Sequence, residues 1–418
     1  MKVLWFSSTP SLFDEQKFGG WIASLERIVL KHRTDIELAI AFEYSDNRFC
    51  IRKNGTTYYP INISNTIKDR LIEKVDGNYK WNRLKPMMIK IIEDFKPDII
   101  QCFGSEWPYG LIAEYVDVPV VVHMQGFNNI YNESSKMVYS TFDYIKCNRF
   151  NPKATFTFIT NKKKNESLDQ RERYLMSINK YFMGRTIWDK EIVEHYSPNA
   201  TYFYCPEALR PEIYNSKTKW EDNNYGKNRL VTISQAGVLK GNEIILKTAR
   251  LLKDEFSFDF EWIVAGNPAG IQMAERKTRI DHRKYNIKLL GMIPVDRVSE
   301  ELANSTIYVH PAIIDNSPNS LCEAQIIGCP VIAANVGGIS SLVDDGKTGI
   351  LYPYNEPHML AFRIMELCKD EEMLKALSEN EKKLSLERHN PDKVYECLNN
   401  VYTKLYANAN RRSNRDAD

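Results

Sequence analysis

Apolar runs of three to seven residues alternate along this chain with longer amphipathic segments of helical length, and the alternation occurs twice. Each apolar run is strand-sized, so each series specifies a parallel sheet flanked by helices. The first series predicts strands at 3–6, 36–42, 98–102, 119–122 and 202–205, with helices at 20–31, 81–95, 107–116 and 187–196 and a further segment at 165–181. The second predicts strands at 230–233, 260–265, 287–290, 306–309 and 331–333, and helices at 242–254, 295–303, 320–327, 357–369 and 371–383. Between the two, residues 216–228 turn polar and lose periodicity, which marks a linker. A last amphipathic helix, 391–406, leads into a polar tail. The fold class is α/β, with two Rossmann-like halves of roughly 200 residues each, a plan that suits a ligand site in a cleft.

The composition removes several other classes. A chain of 418 residues with 43% apolar and 26% charged residues is an ordinary globular protein, and a net charge of +2 gives no support for nucleic acid as a partner. Four apolar residues, Val3 to Phe6, meet Ser7-Ser8-Thr9-Pro10, so no signal-peptide core and no membrane span is expected, and the reading is a cytoplasmic protein. The eight cysteines are scattered without metal-ligand spacing and read as reduced core residues. No G-x-G-x-x-G stands at Gly19-Gly20 or Gly337-Gly338, which argues against a dinucleotide site.

Chemistry concentrates in Asp315-Asn316-Ser317-Pro318-Asn319-Ser320-Leu321-Cys322-Glu323. On one continuous helix the two carboxylates would lie about 12 Å and about 80° apart, too divergent to grip one small molecule. Pro318 disfavours helix at Ser317, and Ser317 and Asn319 are capping types for a helix from about Ser320. Asp315 is then on a loop and Glu323 about one turn into a helix. The N–H groups of Asn319, Ser320 and Leu321 at that helix start attract an anion, and a diphosphate fits between the carboxylates. The loop leaves the carboxyl end of a predicted strand, where open parallel sheets bind ligands. A carboxylate accepts both hydroxyls of a vicinal diol, so Glu323 suits a ribose and Asp315 a sugar ring.

With His310-Pro311 before it and Gly337-Gly338 after it, this stretch resembles the donor-binding motif of family 4 retaining glycosyltransferases, which have the GT-B fold of two Rossmann-like domains facing across a cleft. That family usually has two glutamates; here Asp315 takes the first place. The wording NSPNSLCEA resembles the branch that builds bacterial capsule, exopolysaccharide or lipopolysaccharide. The resemblance implies an acceptor-side domain over 1–212, a donor domain over 213–390, and a C-terminal helix, 391–418, that packs back on the first. It implies a UDP- or GDP-sugar as donor substrate, with no further cofactor and no metal; the only Asp-x-Asp, Asp416-Ala417-Asp418, is in the tail. The expected acceptor is a glycan or lipid-linked glycan, with peripheral contact at the inner membrane face.

Further residues take places by the same resemblance. Lys240-Gly241 matches the family's Lys-Gly, whose lysine neutralises the donor diphosphate as negative charge builds on the leaving group. The arginine usual five residues earlier is Gln235 here. Gly19 and Gly20 follow the first strand and allow close approach of backbone to ligand. In His123-Met124-Gln125-Gly126, Gln125 stands where many members have histidine and reads as a sugar contact; His123 reads more readily as core. Gly266-Asn267 and Ile293 match segments near the nucleotide, though both are also ordinary turn chemistry. Arg185 and Arg210 lie in segments seen in the polysaccharide branch, and Thr186 with Asp189 reads equally well as a helix cap. Lys162-Lys163-Lys164 and Arg411-Arg412 are small basic clusters of the kind that meet anionic lipid, or simply solvated surface.

The resemblance implies a retaining transferase with front-face displacement and no covalent protein nucleophile. Three rivals stay open at this stage: a GT-B epimerase or hydrolase, a noncatalytic sugar-nucleotide-binding partner, and a glycosidase using Asp315 and Glu323 as its carboxylate pair.

Overall fold

A computed structural model describes residues 1–418 except 15–19, 33–34, 64–65, 74–75, 148–150, 222–227, 235–236 and 416–418. Gly19, Gln235 and the Asp416–Asp418 tail therefore lie outside the described residues, as do the side chains of Arg411 and Arg412. The chain forms two compact units. The first comprises 1–132, 156–208 and 389–418; the second comprises 133–155 and 209–388. The expected division after 212 differs from this by a few residues, and it did not anticipate that 133–155 would cluster with the second unit.

The first unit carries an eight-stranded sheet in the order β3-β4-β2-β1-β5-β6-β7-β8. Its strands are β1 (Lys2–Ser7), β2 (Glu37–Glu43), β3 (Ile51–Lys53), β4 (Thr56–Ile61), β5 (Ile99–Phe103), β6 (Val120–His123), β7 (Tyr181–Gly184) and β8 (Thr201–Tyr204). Every pairing is parallel except the β3–β4 hairpin, whose turn is Asn54-Gly55 with φ of 53° and 86°. The sequence reading missed this hairpin, because Pro60 and the short polar β3 break the alternating pattern. Strand β1 is buried on both faces, as parallel sheets covered by helices require.

The second unit carries six parallel strands in the order β11-β10-β9-β12-β13-β14. They are β9 (Asn228–Ser234), β10 (Phe260–Gly266), β11 (Ile287–Gly291), β12 (Ile307–His310), β13 (Val331–Ala334) and β14 (Ile350–Tyr352). This is the doubly wound order in which the chain reverses direction across the sheet between the first and fourth strands, here β9 and β12. The carboxyl ends of these two strands therefore flank the natural ligand crevice of this unit.

Most helices fall within a few residues of expectation, and the exceptions have local causes. Residues 107–116 form a 3-10 run, Pro108–Glu114, in place of an α-helix; Gly110 and the proline at its start weaken the α form. The helix at 242–254 is α-helical only over Asn242–Arg250 and continues as a wider π turn, Leu251–Glu255. The segment at 165–181 belongs to a longer helix, Pro152–Ile178, and the last helix runs over Pro391–Arg415. That last helix is tied to the first unit's sheet, with Trp5 Nε1 donating to Tyr402 Oη at 2.8 Å. Among the described residues no helix is long and apolar enough to cross a membrane.

Candidate functional site

The switch point between β9 and β12 brings together Lys240, His310 and Asp315, with Glu323 on the helix that follows. After β9 a single 3-10 turn, Val238–Lys240, ends at Gly241, and after β12 the chain enters the loop that carries Asp315. Gly241 has φ of 71°, and a Cβ there would lie 1.7 Å from the Pro311 carbonyl oxygen, so only glycine lets the two loops touch. The loops are also bonded directly: Ile313 N–H donates to the Leu239 carbonyl at 2.8 Å, and Gly338 N–H donates to the Asp315 carbonyl at 3.0 Å. This framework places Lys240 Nζ 2.7 Å from Asp315 Oδ2, with His310 Nε2 3.5 Å from the same oxygen. Burial alone would raise the Asp315 pKa, but the Lys240 charge and His310 outweigh it and hold the carboxyl well below the usual carboxylate range.

The helix that follows covers Asn319–Ile327 and starts at Pro318, where no side chain caps it. The expected caps, Ser317 and Asn319, therefore do not act as such, because the proline itself occupies the cap position. Of the three proposed anion donors, Leu321 N–H is already committed to the Pro318 carbonyl at 3.0 Å, which leaves the first turn's Asn319 and Ser320 as the better-placed pair. Ser320 is fixed in turn, since Tyr308 Oη donates to its Oγ at 2.9 Å.

Glu323 is the fifth residue of this helix and is 3% exposed. Arg210 meets it side by side, Nε to Oε1 at 2.8 Å and Nη2 to Oε2 at 2.7 Å. Burial pushes the Glu323 carboxyl up, and the guanidinium pulls it back toward ionisation. Each oxygen keeps a further lone pair, so a carboxylate held this way can still accept a diol. Nothing in the sequence linked Arg210 to a particular partner; the bond spans 113 positions.

Other expected residues are more ordinary. Asn267 Oδ1 accepts from Ala269 N–H at 3.0 Å and so starts the helix Ala269–Thr278, while Gly266 ends β10. Ile293 packs against the second unit's core. In the first unit Gly20 immediately precedes the helix Trp21–His32, and a Cβ there would meet nothing within 4 Å, so no protein neighbour demands glycine. Gln125 lies just past β6, and its carbonyl accepts from Arg185 Nη2 at 3.1 Å. His123 is fully buried at the end of β6. Thr186 and Asp189 form a complete capping box at the start of the helix Ile187–Tyr196.

Two parallel-sheet units, the second doubly wound with Lys240 and Asp315 at its switch point, define an α/β protein of the GT-B class. The second unit matches the family model described as Glycosyl transferases group 1 over residues 216–384. The second unit is therefore similar to that family, and the fold is that of GT-B glycosyltransferases. Similar curated proteins include the amylovoran biosynthesis glycosyltransferase AmsK of Erwinia amylovora, 23% identical over 44% of this chain and 46% of that protein. Another is the putative colanic acid biosynthesis glycosyltransferase WcaL of Salmonella typhimurium, 27% identical over 34% of this chain and 36% of that one. The matched regions span less than half the length of these relatives. Among solved structures, sucrose-phosphate synthase from Thermosynechococcus elongatus superposes with a TM-score of 0.71 at 12% identity, covering 97% of this chain and 99% of that one. The Anabaena protein HepE, solved with UDP and glucose, gives 0.65 at 14% identity over 97% and 100%. At such identities these two report the fold.

Proposed function

We propose that this protein is a retaining glycosyltransferase that moves a sugar from a nucleoside-diphosphate sugar, UDP- or GDP-linked, to a growing glycan of a bacterial surface polysaccharide. The observation that carries the reading is the juxtaposition of Lys240, Asp315 and the uncapped start of the Glu323 helix at the carboxyl ends of β9 and β12. Glu323, aimed by Arg210, takes the ribose diol. The N–H groups at the helix start and Lys240 take the diphosphate, whose growing charge during bond cleavage they stabilise. In the ligand-free protein Lys240 neutralises Asp315; with donor bound, the lysine turns to phosphate and the aspartate to hydroxyls of the transferred sugar. The acceptor hydroxyl attacks on the face the diphosphate leaves and passes its proton to the departing phosphate oxygen, so configuration is kept and no protein side chain is glycosylated. In this reading the charge stabilisation comes from the protein, without a divalent ion, and the acceptor is a glycan or lipid-linked glycan met at the cytoplasmic membrane face. The relatives named for amylovoran and colanic acid biosynthesis support the polysaccharide setting.

The test is to incubate the protein with UDP- and GDP-sugars and membrane-extracted lipid-linked glycans, with and without chelator, following nucleotide release and product mass. Acceptor-dependent release with one preferred donor, undiminished by chelator, is expected. Nucleotide binding without release under any acceptor would favour a noncatalytic partner, and release without any acceptor would favour a hydrolase.

A further inference from the structure

The helix that carries Glu323 is held on its far side by a closed set of hydrogen bonds. Gln325 lies two residues past Glu323, about 200° around the helix, so it faces away from any ligand that Glu323 grips. Its side chain is buried, and its Nε2 donates to the Leu342 carbonyl at 2.9 Å. Arg388, at the end of the helix Glu371–Arg388, donates from Nη2 to the same carbonyl at 3.2 Å and from Nη1 to Gln325 Oε1 at 3.3 Å. The carbonyl thus uses both lone pairs, and a turned-over Gln325 amide would set donor against donor and acceptor against acceptor.

The other end of this set is at Asp315. Leu342 closes the 3-10 turn Ile339–Ser341, and Gly338 opens it. Within the turn Ser341 N–H donates to the Gly338 carbonyl at 3.0 Å and Leu342 N–H to the Ile339 carbonyl at 2.9 Å. Gly338 N–H donates to the Asp315 carbonyl, and Gly337, with φ of 52°, packs so closely that a Cβ would lie 2.1 Å from that oxygen. One turn therefore reaches from the Asp315 backbone to Gln325 and Arg388. A further bond meets the same end of the Arg388 helix: Tyr214 Oη donates to the Leu386 carbonyl at 3.0 Å, and Tyr214 ends the short helix Pro211–Tyr214 that starts beside Arg210. The segments that carry Arg210, Glu323 and Asp315 all lead to residues 386–388.

We infer that Gln325 and Arg388 are positioning residues that set the Asp315 loop against the Glu323 helix. On the transferase reading, on which this rests, Glu323 takes the ribose and Asp315 the transferred sugar, so their spacing must match the two ends of one donor. Neither Gln325 nor Arg388 touches that donor. Loss of the link leaves the nucleotide grip of Glu323, Lys240 and the helix start in place and loosens the sugar end, where a shift of about 1 Å costs on the order of 10²-fold in rate. A role confined to satisfying the Leu342 carbonyl would cost stability alone.

The test compares wild type with Gln325→Met, which keeps the side chain's length, and Arg388→Lys, which keeps the charge and loses the two-pronged bond. Amide exchange at Gly338 in the ligand-free protein is followed by NMR, with Val231 in β9 as the reference. UDP, GDP, UDP-glucose, UDP-galactose, UDP-N-acetylglucosamine and GDP-mannose are then titrated calorimetrically. In both variants Gly338 is expected to exchange about tenfold faster relative to Val231. The nucleotide sugar that wild type binds most tightly is expected to lose about fivefold or more in affinity, with its bare nucleotide within about twofold. In Gln325→Met combined with Asp315→Asn that loss should fall short of the product of the single losses, because both act at one contact. Exchange at Gly338 that only follows Val231 overturns the inference, as does equal weakening of nucleotide and nucleotide sugar or a fully multiplicative double variant. Faster Gly338 exchange in a protein that binds none of the six probes would keep the positioning link and sink the transferase reading.

Discussion

Arg210 and Glu323 are joined by two parallel bonds of 2.8 and 2.7 Å, and the pair fixes the segment that opens the main part of the second unit to the helix at that unit's switch point. The pairing changes how the glutamate must be tested. Replacing Glu323 with Gln would also strip Arg210 of its partner, so lost donor binding would be mixed with lost stability. Arg210→Met is the cleaner probe. Without the guanidinium, burial drives the Glu323 carboxyl further up, and a protonated carboxyl is a poorer acceptor of the ribose diol. The expected result is a donor KM raised on the order of tenfold, and more at pH 6 than at pH 8, with a stability loss of about 2 kcal/mol. A KM that rises equally at both pH values would contradict the coupling.

Lys240→Ala tests the charge on the leaving group. The Lys240–Asp315 bond is 2.7 Å and the aspartate is buried, so removing the lysine leaves a buried carboxylate short of its counter-charge and costs about 1–3 kcal/mol of stability. Its charge faces the leaving group in the proposed reaction, and transfer is expected to slow by about 10²–10³-fold. A kcat within a factor of three of wild type would remove Lys240 from the site.

Glu381 is fully buried in the helix Glu371–Arg388, and neither carboxyl oxygen has a hydrogen-bond partner. Burial raises its pKa well above 4.5. The folded state then binds a proton that the unfolded state releases above about pH 4.5, so stability declines as pH rises from there toward the folded value, by up to about 1.4 kcal/mol per pH unit. Glu381→Gln removes this slope. Urea unfolding at pH 5 and pH 8 should show the variant gaining on wild type at the higher pH. An equal difference at both would show that Glu381 does not titrate between them.

The segment Arg185–Asp189 serves two purposes, which one substitution distinguishes. Thr186 Oγ1 accepts from Asp189 N–H at 3.2 Å and caps the helix Ile187–Tyr196. Thr186→Ala should cost about 1 kcal/mol of stability. Donor and acceptor KM should stay within twofold, because the cap acts on the helix; a selective rise in either would give the threonine a part in binding.

Much of this architecture was legible in the chain. The two strand series were visible because fully buried parallel strands are continuous apolar runs, as in Val3 to Phe6 and Ile307 to Val309. The Asp315 loop and Glu323 helix were visible because Pro318 separates them locally. What escaped notice was set by contacts distant in sequence. The Arg210–Glu323 pair, the docking of 133–155 with the second unit, and the Tyr402–Gln101–His123 chain each join residues that no local pattern relates.

The central claim is that the β9–β12 switch point binds a nucleoside diphosphate through Lys240 and the start of the Glu323 helix. Isothermal titration of UDP and GDP into wild type and Lys240→Ala tests it without needing an acceptor. The account predicts saturable binding of one nucleotide to wild type, weakened at least tenfold in the variant. Absence of binding by either nucleotide, or equal affinity in the two proteins, would contradict it.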